Sequence, residues 1–410
     1  MSVDVAVPPH AQPAPPALPA KPATSDSVSH GSASGARRDL PSLTGLRFVA
    51  ALMVFGFHSA GYGVTTTPWW HLPQFGFLGV AFFFVLSGVV LTWSSRPGQP
   101  AGAFWRRRFA RVYPSHFVTA LIAIALYLWF MPPHKPLWAG VLALLLLQAW
   151  PPVPAVNSAA NGVSWSLSCE AFFYACFPAL APALARRSAA GRRLLVGGIL
   201  AGCAALAIAG SFAWGGRYDV PLYENPLVRL GEFALGVALG LALRDGWVPR
   251  VRRRTAWSAA ALAAATALAL GWARGWPVPR GVSDVLAIGP LSLVLLAYAG
   301  RDLRGRGSWM GRRAMVYLGQ LSFAFYLVHQ LVMDTVLKRI APLTDGSVTG
   351  ALWRTAFAFG LSIAGAVALH HLVELPGQRL FTRRRRPAAV LPLPYPEQPR
   401  STARVTAGVR

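Results

Sequence analysis

Apolar runs of about 18 residues, long enough to cross a hydrocarbon core about 30 Å thick as an α-helix, recur between Leu43 and Val373. Polar and basic residues separate these runs. The pattern predicts an all-α polytopic membrane bundle of about ten transmembrane helices. The predicted crossing segments are 43–62, 75–93, 112–131, 164–183, 194–213, 227–243, 255–272, 282–300, 316–337 and 351–373.

The apolar stretch LWAGVLALLLLQAW, residues 137–150, is shorter than the others, with only 14 residues. This length favours a short re-entrant or half-crossing helix over a full crossing. The basic residues support that choice, because cytoplasmic loops of membrane proteins are enriched in Lys and Arg. With ten crossings and a cytoplasmic N-terminus, most of the 39 Lys and Arg residues lie on the cytoplasmic side. We therefore predict a multi-pass protein of the cell membrane with both termini in the cytoplasm.

Glycine spacing in the sixth predicted helix indicates close helix packing. The segment GVALG places Gly236 and Gly240 four residues apart, on one helix face. Small residues at this spacing let two helix backbones approach closely in a membrane. We predict tight contact with another helix at this position.

The two ends of the chain differ in composition from its middle. Residues 1–40 are rich in Pro, Ala and Ser, and residues 383–410 are basic and rich in Pro. Segments of this kind contain too little apolar surface to form a packed core. We predict that both are disordered cytoplasmic segments flanking one transmembrane domain at 41–382.

Composition agrees with a membrane protein and bears on the meaning of the net charge. Only 13% of the residues are charged, whereas a soluble domain contains about a quarter. The charge of +25 suggests nucleic acid at first, but the arginines lie between apolar spans. We therefore expect membrane lipids as partners and no nucleic acid. Cys169, Cys176 and Cys203 lie in apolar segments without CxxC spacing, so we predict buried thiols and no metal site.

Two ionisable residues enclose an apolar stretch in the first predicted helix. Ten apolar or glycine residues separate Arg47 from His58. The two side chains lie on nearly the same helix face, roughly 16 Å apart along the axis. An ionisable group this deep in a membrane usually faces a cavity or a partner. His58 is therefore a candidate functional residue, and the alternative is a buried neutral histidine bonded to a carbonyl.

An arginine-rich segment, FWRRRFARVYP at 104–114, precedes the third predicted crossing. Arg108 and Arg111 are three residues apart, so they share a helix face and can bind phosphate groups through paired hydrogen bonds. The alternative is a cluster of basic and aromatic residues that only orients the helix in the membrane.

Polar residues also enter the fourth predicted helix, in GVSWSLSCEAFFYACFP at 162–178. Glu170 and Tyr174 are four residues apart on one face, with Ser166 one turn earlier and Trp165 beside it. We interpret this face as part of a polar site inside the bundle. The alternative is a glutamate that the helix dipole favours near the start of a helix.

A second intramembrane histidine occurs in LSFAFYLVHQLVMD at 321–334. Tyr326 and His329 are three residues apart, so both side chains can line one cavity. A histidine that only packs in the helix bundle is the alternative. The sequence thus predicts two imidazoles and one carboxylate in the interior of the bundle, with arginines at its cytoplasmic rim.

The order and spacing of these motifs resemble the acyltransferase 3 family, integral membrane enzymes that transfer acyl groups. The resemblance covers about 41–385, nearly all of the chain that is predicted to be ordered. It rests on Arg47 with His58, the RFAR pair Arg108 and Arg111, WSLSCE ending in Glu170, FYLVH ending in His329, and the closing HHLVELPGQRLF with Glu374.

This resemblance implies an acyl-CoA co-substrate presented from the cytoplasm, a hydroxylated acceptor and an essential histidine on the first helix, with no bound cofactor. We expect His58 to act as base or acyl acceptor, because an imidazole titrates near neutral pH. Glu170 is the second predicted catalytic residue and would orient the imidazole, as a carboxylate does in a triad. The predicted substrate-binding residues are Arg47, Arg108, Arg111, Trp165, Ser166, Tyr174, Tyr326 and His329.

The residues alone leave two other kinds of protein open. A transporter or flippase of a glycan or lipid intermediate would also need many helices and buried charge. The arginine cluster and the absence of an evident internal repeat favour an enzyme. A structural or regulatory membrane subunit is the third possibility, and it would not require His58. The acceptor can be a carbohydrate, a cell-envelope glycan or a hydroxylated metabolite.

Overall fold

The structure of this protein is a computed structural model. It describes residues 38–61, 73–96, 98–130, 137–213, 223–274, 280–340 and 347–382. The segments predicted to be disordered, 1–40 and 383–410, lie almost entirely outside these ranges.

Every regular element in the described ranges is a helix, as the apolar pattern predicts. The α-helices are α1 Pro41–Ala60, α2 Leu78–Ser94, α3 Ala101–Phe130, α4 Leu137–Leu144, α5 Pro154–Asn157, α6 Trp165–Ala185, α7 Ala189–Ala213, α8 Leu230–Arg244, α9 Arg253–Arg274, α10 Arg280–Leu303, α11 Arg313–Val332, α12 Val348–Leu369 and α13 Leu375–Thr382. Short 3₁₀ turns lie at Pro73–Phe77, Gly162–Ser164 and Trp309–Gly311, and π-helical turns at Met333–Ile340 and His370–Glu374.

Eight helices in the described part of the chain are long and apolar enough to cross a membrane. The predicted crossings at 227–243 and 255–272 also form helices, α8 with 15 residues and α9 with 22. The number of about ten crossings remains a prediction. The apolar stretch at 137–150 contains only the eight residues of α4 as an α-helix. It is therefore short, as predicted, and its re-entry into the membrane remains a prediction.

Helices α2 and α8 approach each other closely through glycines. A Cβ atom on Gly236 would collide with the carbonyl of Val85, and one on Gly88 would lie 2.7 Å from the backbone nitrogen of Val237. No side chain fits between the two backbones at this level. The predicted close packing of the GVALG segment is confirmed.

Helix α11 runs beside α1 in the same direction and brings its polar residues to those of α1. Gly319 lies against the backbone carbonyl of Thr44, where a Cβ atom would collide with the oxygen. Further along, the Phe325 ring packs against Phe48 and Phe55, with centroids 5.9 and 5.7 Å apart. Backbone contact at one level and aromatic packing at the next fix the register of the two helices.

Helix α6 runs in the opposite direction and is held by aromatic rings. Phe173 stacks on Phe233 of α8, with ring centroids 4.8 Å apart and an interplanar angle of 9°. Its edge meets Phe84 of α2 at 5.1 Å. The polar face of α6 is thereby directed towards α1 and α11.

We predict that Gly236→Val destabilises the protein, because its branched side chain has to separate α2 from α8. Overpacking of this kind costs on the order of 1–3 kcal/mol or more. Thermal unfolding of the purified protein in detergent measures the effect as a lower midpoint. Gly202→Val is the matched control, since a Cβ atom at Gly202 of α7 meets nothing within 4 Å. Equal midpoints for the two variants would contradict the close packing.

Candidate active site

The two predicted intramembrane histidines meet inside the bundle. His58 Nδ1 of α1 lies 3.0 Å from His329 Nε2 of α11. The ring centroids are 5.1 Å apart. His329 is fully buried, whereas His58 is partly exposed. The structure therefore pairs two imidazoles, one of which a substrate can reach.

A backbone carbonyl beside His329 determines which ring nitrogens of the two histidines carry hydrogens. His329 Nδ1 is 3.2 Å from the carbonyl oxygen of Phe325. Because a carbonyl only accepts hydrogen bonds, Nδ1 of His329 carries the hydrogen. The lone pair on its Nε2 then accepts the Nδ1–H of His58. In this arrangement Nε2 of His58 carries a lone pair and can act as a base.

A second polar cluster lies near the start of α1, which we call the Arg47 end; the end of α1 at His58 is the His58 end. Arg47 and Glu170 line a small cavity of about 50 Å³ together with Ser166 and Tyr326. Glu170 Oε1 also accepts a hydrogen bond from Ser87 Oγ at 3.3 Å. The cavity holds one guanidinium and one carboxylate on facing helices.

The structure does not bring Glu170 to His58. In the described residues His58 bonds to His329 and to the backbone of Val54, and Glu170 lies within electrostatic range of Arg47. Because α6 runs antiparallel to α1, its residues approach the Arg47 end as their numbers rise. The proposed orienting contact between Glu170 and the His58 imidazole is therefore absent, and a catalytic role for Glu170 remains a prediction.

Two hydroxyl groups line the Arg47 cavity on the side that faces the histidine pair. Ser166 Oγ is 2.8 Å from the hydroxyl of Tyr326, which donates a hydrogen bond to the Val163 carbonyl at 3.0 Å. The ring centroids of Tyr326 and His329 are 5.7 Å apart. Trp165 is buried and packs against the rings of Phe84 and Tyr223. Residues that the sequence places on α6 and α11 thus form one continuous polar face.

The arginines of α3 also lie at the Arg47 end. Arg108 and Arg111 are both within electrostatic range of Glu170 or Arg47. Arg108 and Tyr174 line a cavity of about 240 Å³ between α3 and α6. Trp105 Nε1 closes one side by donating to the Tyr174 carbonyl at 2.9 Å. Three guanidinium groups therefore lie near one another at this end.

Glu374 belongs to the same cluster, although the predicted site did not include it. Its carboxylate is 1% exposed and accepts hydrogen bonds from His370 Nδ1 at 2.8 Å and Gln378 Nε2 at 3.1 Å. It also lies within electrostatic range of Arg47. The sequence signal is the spacing of His370 and Glu374, four residues apart at the end of a long apolar run.

Glu224 lies towards the His58 end and was also not predicted. It is 8% exposed, and burial raises the pKa of its carboxyl to about 7, against the influence of Arg280. The Arg280 guanidinium lies 5.4 Å from the Phe57 ring centroid and within electrostatic range of His58. No pattern in the sequence singles out Glu224, because its partners come from other segments.

Comparison with known proteins identifies the family. The acyltransferase 3 model, described as an acyltransferase domain, matches residues 40–371. The chain belongs to this acyltransferase family. The resemblance seen in the sequence motifs is thereby confirmed, and the described helices agree with a multi-pass membrane protein.

Individual relatives also have names that describe acyl transfer. The chain is 38% identical over 390 residues to "Acyltransferase MdmB" of Streptomyces mycarofaciens, which covers 88% of this chain and 96% of that protein. It is 30% identical over 311 residues to "Putative membrane-bound transacylase BcsY" of Komagataeibacter xylinus, 72% of each chain. A shorter match, 27% over 165 residues, covers 35% of this chain and 24% of "Peptidoglycan O-acetyltransferase OatA" of Listeria monocytogenes. No solved structure matches the chain.

The raised pKa of Glu224 in this membrane acyltransferase predicts a pH-dependent stability. Its ordinary value is 4.5 and its value in the fold is about 7, so the folded protein holds the proton more tightly than the unfolded chain. The stabilisation is complete below pH 4.5 and is lost as the pH rises to about 7. We expect the unfolding midpoint of the wild type to fall between pH 5 and pH 8 by more than that of Glu224→Gln.

The difference in unfolding free energy between these two proteins should change by at most about 3 kcal/mol across this range. Thermal unfolding in detergent at the two pH values measures it. Parallel curves for the wild type and Glu224→Gln would contradict a protonated, buried Glu224.

Proposed function

We propose that this membrane protein is an O-acyltransferase that moves an acyl group, such as acetyl, from acyl-CoA to a hydroxyl of a carbohydrate, a cell-envelope glycan or a hydroxylated metabolite. The contact of His58 Nδ1 with His329 Nε2 at 3.0 Å is the observation that carries the proposal. It leaves the lone pair of His58 on Nε2, on a ring that is partly exposed. The names of the relatives, acyltransferase, transacylase and O-acetyltransferase, support the reaction class.

The reaction follows from this lone pair. His58 Nε2 takes the proton of the acceptor hydroxyl while the oxygen attacks the thioester carbonyl. The carbon–sulfur bond then breaks, and the departing thiolate receives the proton from the imidazolium. His329 holds the ring in the reactive orientation, the role that a carboxylate has in a serine hydrolase triad. A covalent acyl-His58 intermediate is the second route that the same lone pair allows.

The arginines at the Arg47 end suit the phosphates of acyl-CoA. Arg47 lies roughly 16 Å from His58 along α1. The arm between the diphosphate and the sulfur of CoA contains about 13 bonds, which span roughly 16 Å at the spacing of an extended backbone. A diphosphate bound by Arg108 and Arg111 would therefore place the thioester at His58. Ser166 and Tyr326 lie beside this path, where their hydroxyls can bind the thioester oxygen or the acceptor.

The orientation in the membrane follows from the same arrangement. The segments that flank the Arg47 end are rich in arginine, as cytoplasmic loops are. We place this end and both termini in the cytoplasm, where acyl-CoA is present. The acceptor then reaches His58 from the opposite end of the bundle.

Label transfer in purified protein tests the proposal. The protein is incorporated into nanodiscs with radiolabelled acetyl-CoA and an extract of cell-surface glycans and hydroxylated metabolites, and labelled product and released CoA are measured. We expect His58→Ala to lower transfer by about 100-fold or more, the usual contribution of a general base. His371→Ala is the matched control, because this histidine is exposed, and it should retain transfer.

Undiminished transfer by a folded His58→Ala protein would refute the role of His58. A wild-type protein that transfers no acyl group from acetyl-CoA or from longer acyl donors would favour a transporter instead.

A further inference from the structure

A cavity of about 490 Å³ lies at the Arg47 end, separate from the three site regions described above. It opens between the end of α2, the start of α3 and the ends of α6 and α8. Its lining combines two arginines with apolar and aromatic surface. The lining includes Arg96, Gln99, Phe104, Phe177, Pro178 and Arg244.

The polar part of the lining is cationic. Arg244 is held in place by hydrogen bonds from Nη1 to the Thr92 carbonyl at 3.2 Å and to Ser95 Oγ at 2.7 Å. Arg96 is exposed at the rim. The neighbouring carboxylate, Asp245, pairs with Arg192 at 2.5 Å. The cavity therefore presents two guanidinium groups, those of Arg96 and Arg244.

One face of α3 connects this cavity to the predicted phosphate-binding arginines. Ala101 and Phe104 line the cavity, and Arg108 and Arg111 follow on the same face, four and seven residues after Phe104. The Arg108 guanidinium lies 5.9 Å from the Phe104 ring centroid. A ligand that extends from the cavity along α3 passes Phe104 and reaches Arg108.

A row of residues that winds gradually around α6 makes the same connection from the other side. Pro182 and Pro178 line the cavity, and Tyr174, Glu170 and Ser166 follow at steps of four residues towards the histidine pair. The rings of Phe104 and Phe177 stack between the two helices, with centroids 5.1 Å apart. The cavity is thus the outer end of the polar track that leads to His58.

We propose that this cavity binds the adenosine 3′-phosphate end of the acyl-CoA donor, an assignment that rests on the proposed function. The apolar lining around Phe104, Phe177 and Pro178 suits a flat base, and Gln99 supplies an amide that can bond to it. Arg96 and Arg244 bind the 3′-phosphate through charge-assisted hydrogen bonds. Arg108 and Arg111 remain beside the diphosphate, one to two helical turns further along α3. The nucleotide, the diphosphate and the thioester then occupy three successive parts of one track.

Dephospho-CoA lacks only the 3′-phosphate. It therefore tests the 3′-phosphate site separately from the binding of CoA as the donor. Dissociation constants of CoA and dephospho-CoA are measured by calorimetry with the protein in phosphatidylcholine nanodiscs. The wild type should bind CoA more tightly, on the order of tenfold, because a charge-assisted hydrogen bond contributes about 1.5–3 kcal/mol. Arg96→Gln alone, and together with Arg244→Gln, should lower this preference towards one while leaving the affinity for dephospho-CoA unchanged.

The matched control is Arg254→Gln, which removes an exposed arginine that does not line the cavity and should retain the preference. Because Arg244 also bonds to α2, the single Arg96 variant keeps the test valid if the double variant does not fold. Equal wild-type affinities for the two ligands would overturn the 3′-phosphate site while leaving the CoA donor intact. A wild type that binds neither ligand would overturn the donor as well.

Anionic lipid is the other source of a phosphate at this membrane surface. Nanodiscs containing phosphatidylglycerol provide the comparison. If the Arg96 and Arg244 variants retain the preference for CoA but lose binding of phosphatidylglycerol, the cavity holds a lipid headgroup and the nucleotide assignment is wrong. If phosphatidylglycerol leaves CoA affinity unchanged in the wild type and the variants lose the preference, the nucleotide assignment is supported.

Discussion

The interior of a membrane offers almost no water to polar groups. This constraint governs the whole site, including the hydrogen bond between His58 and His329. Each buried polar side chain must therefore form its hydrogen bonds with other protein groups, and the helices must be positioned so that these bonds can form. The fully buried His329 bonds on one side to its own helix at Phe325 and on the other to α1. Asn161 ties the segment before α6 to α11 by donating to the Leu327 carbonyl at 2.8 Å. The histidine pair thus joins α1 to α11, and Asn161 joins the segment before α6 to α11.

A buried arginine organises another part of the bundle in the same way. Arg229 is 2% exposed and forms ion pairs with Asp284 of α10 and, at 3.1 Å, with Glu232 of α8. Its guanidinium also lies 4.5 Å from the centroid of the Tyr223 ring. Removal of one member of such a cluster would leave a buried charge without a partner, which costs on the order of 3–5 kcal/mol. The cluster holds α8 and α10 together, and Tyr223 connects it to the His58 end.

The sequence was sufficient to predict the helices and most members of the site, because both depend on local patterns. Long apolar runs specify membrane helices, and an ionisable residue within such a run is conspicuous. The relations between helices were less accessible, since they depend on packing. Glycine contacts place α11 beside α1 and so join His329 to His58, while the antiparallel course of α6 carries Glu170 away from His58 to Arg47. Glu224 escaped prediction because only the folded arrangement brings it near Arg280.

The position of the hydrogen on His58 is the most direct test of the account. Nitrogen-15 NMR of the purified protein labelled at its nine histidines distinguishes a ring nitrogen with a hydrogen from one with a lone pair. Comparison with His58→Gln assigns the signal of His58. We predict that Nδ1 of His58 carries the hydrogen and Nε2 the lone pair, and that His329→Ala removes this preference. A hydrogen fixed on Nε2 of His58 would contradict the proposed base.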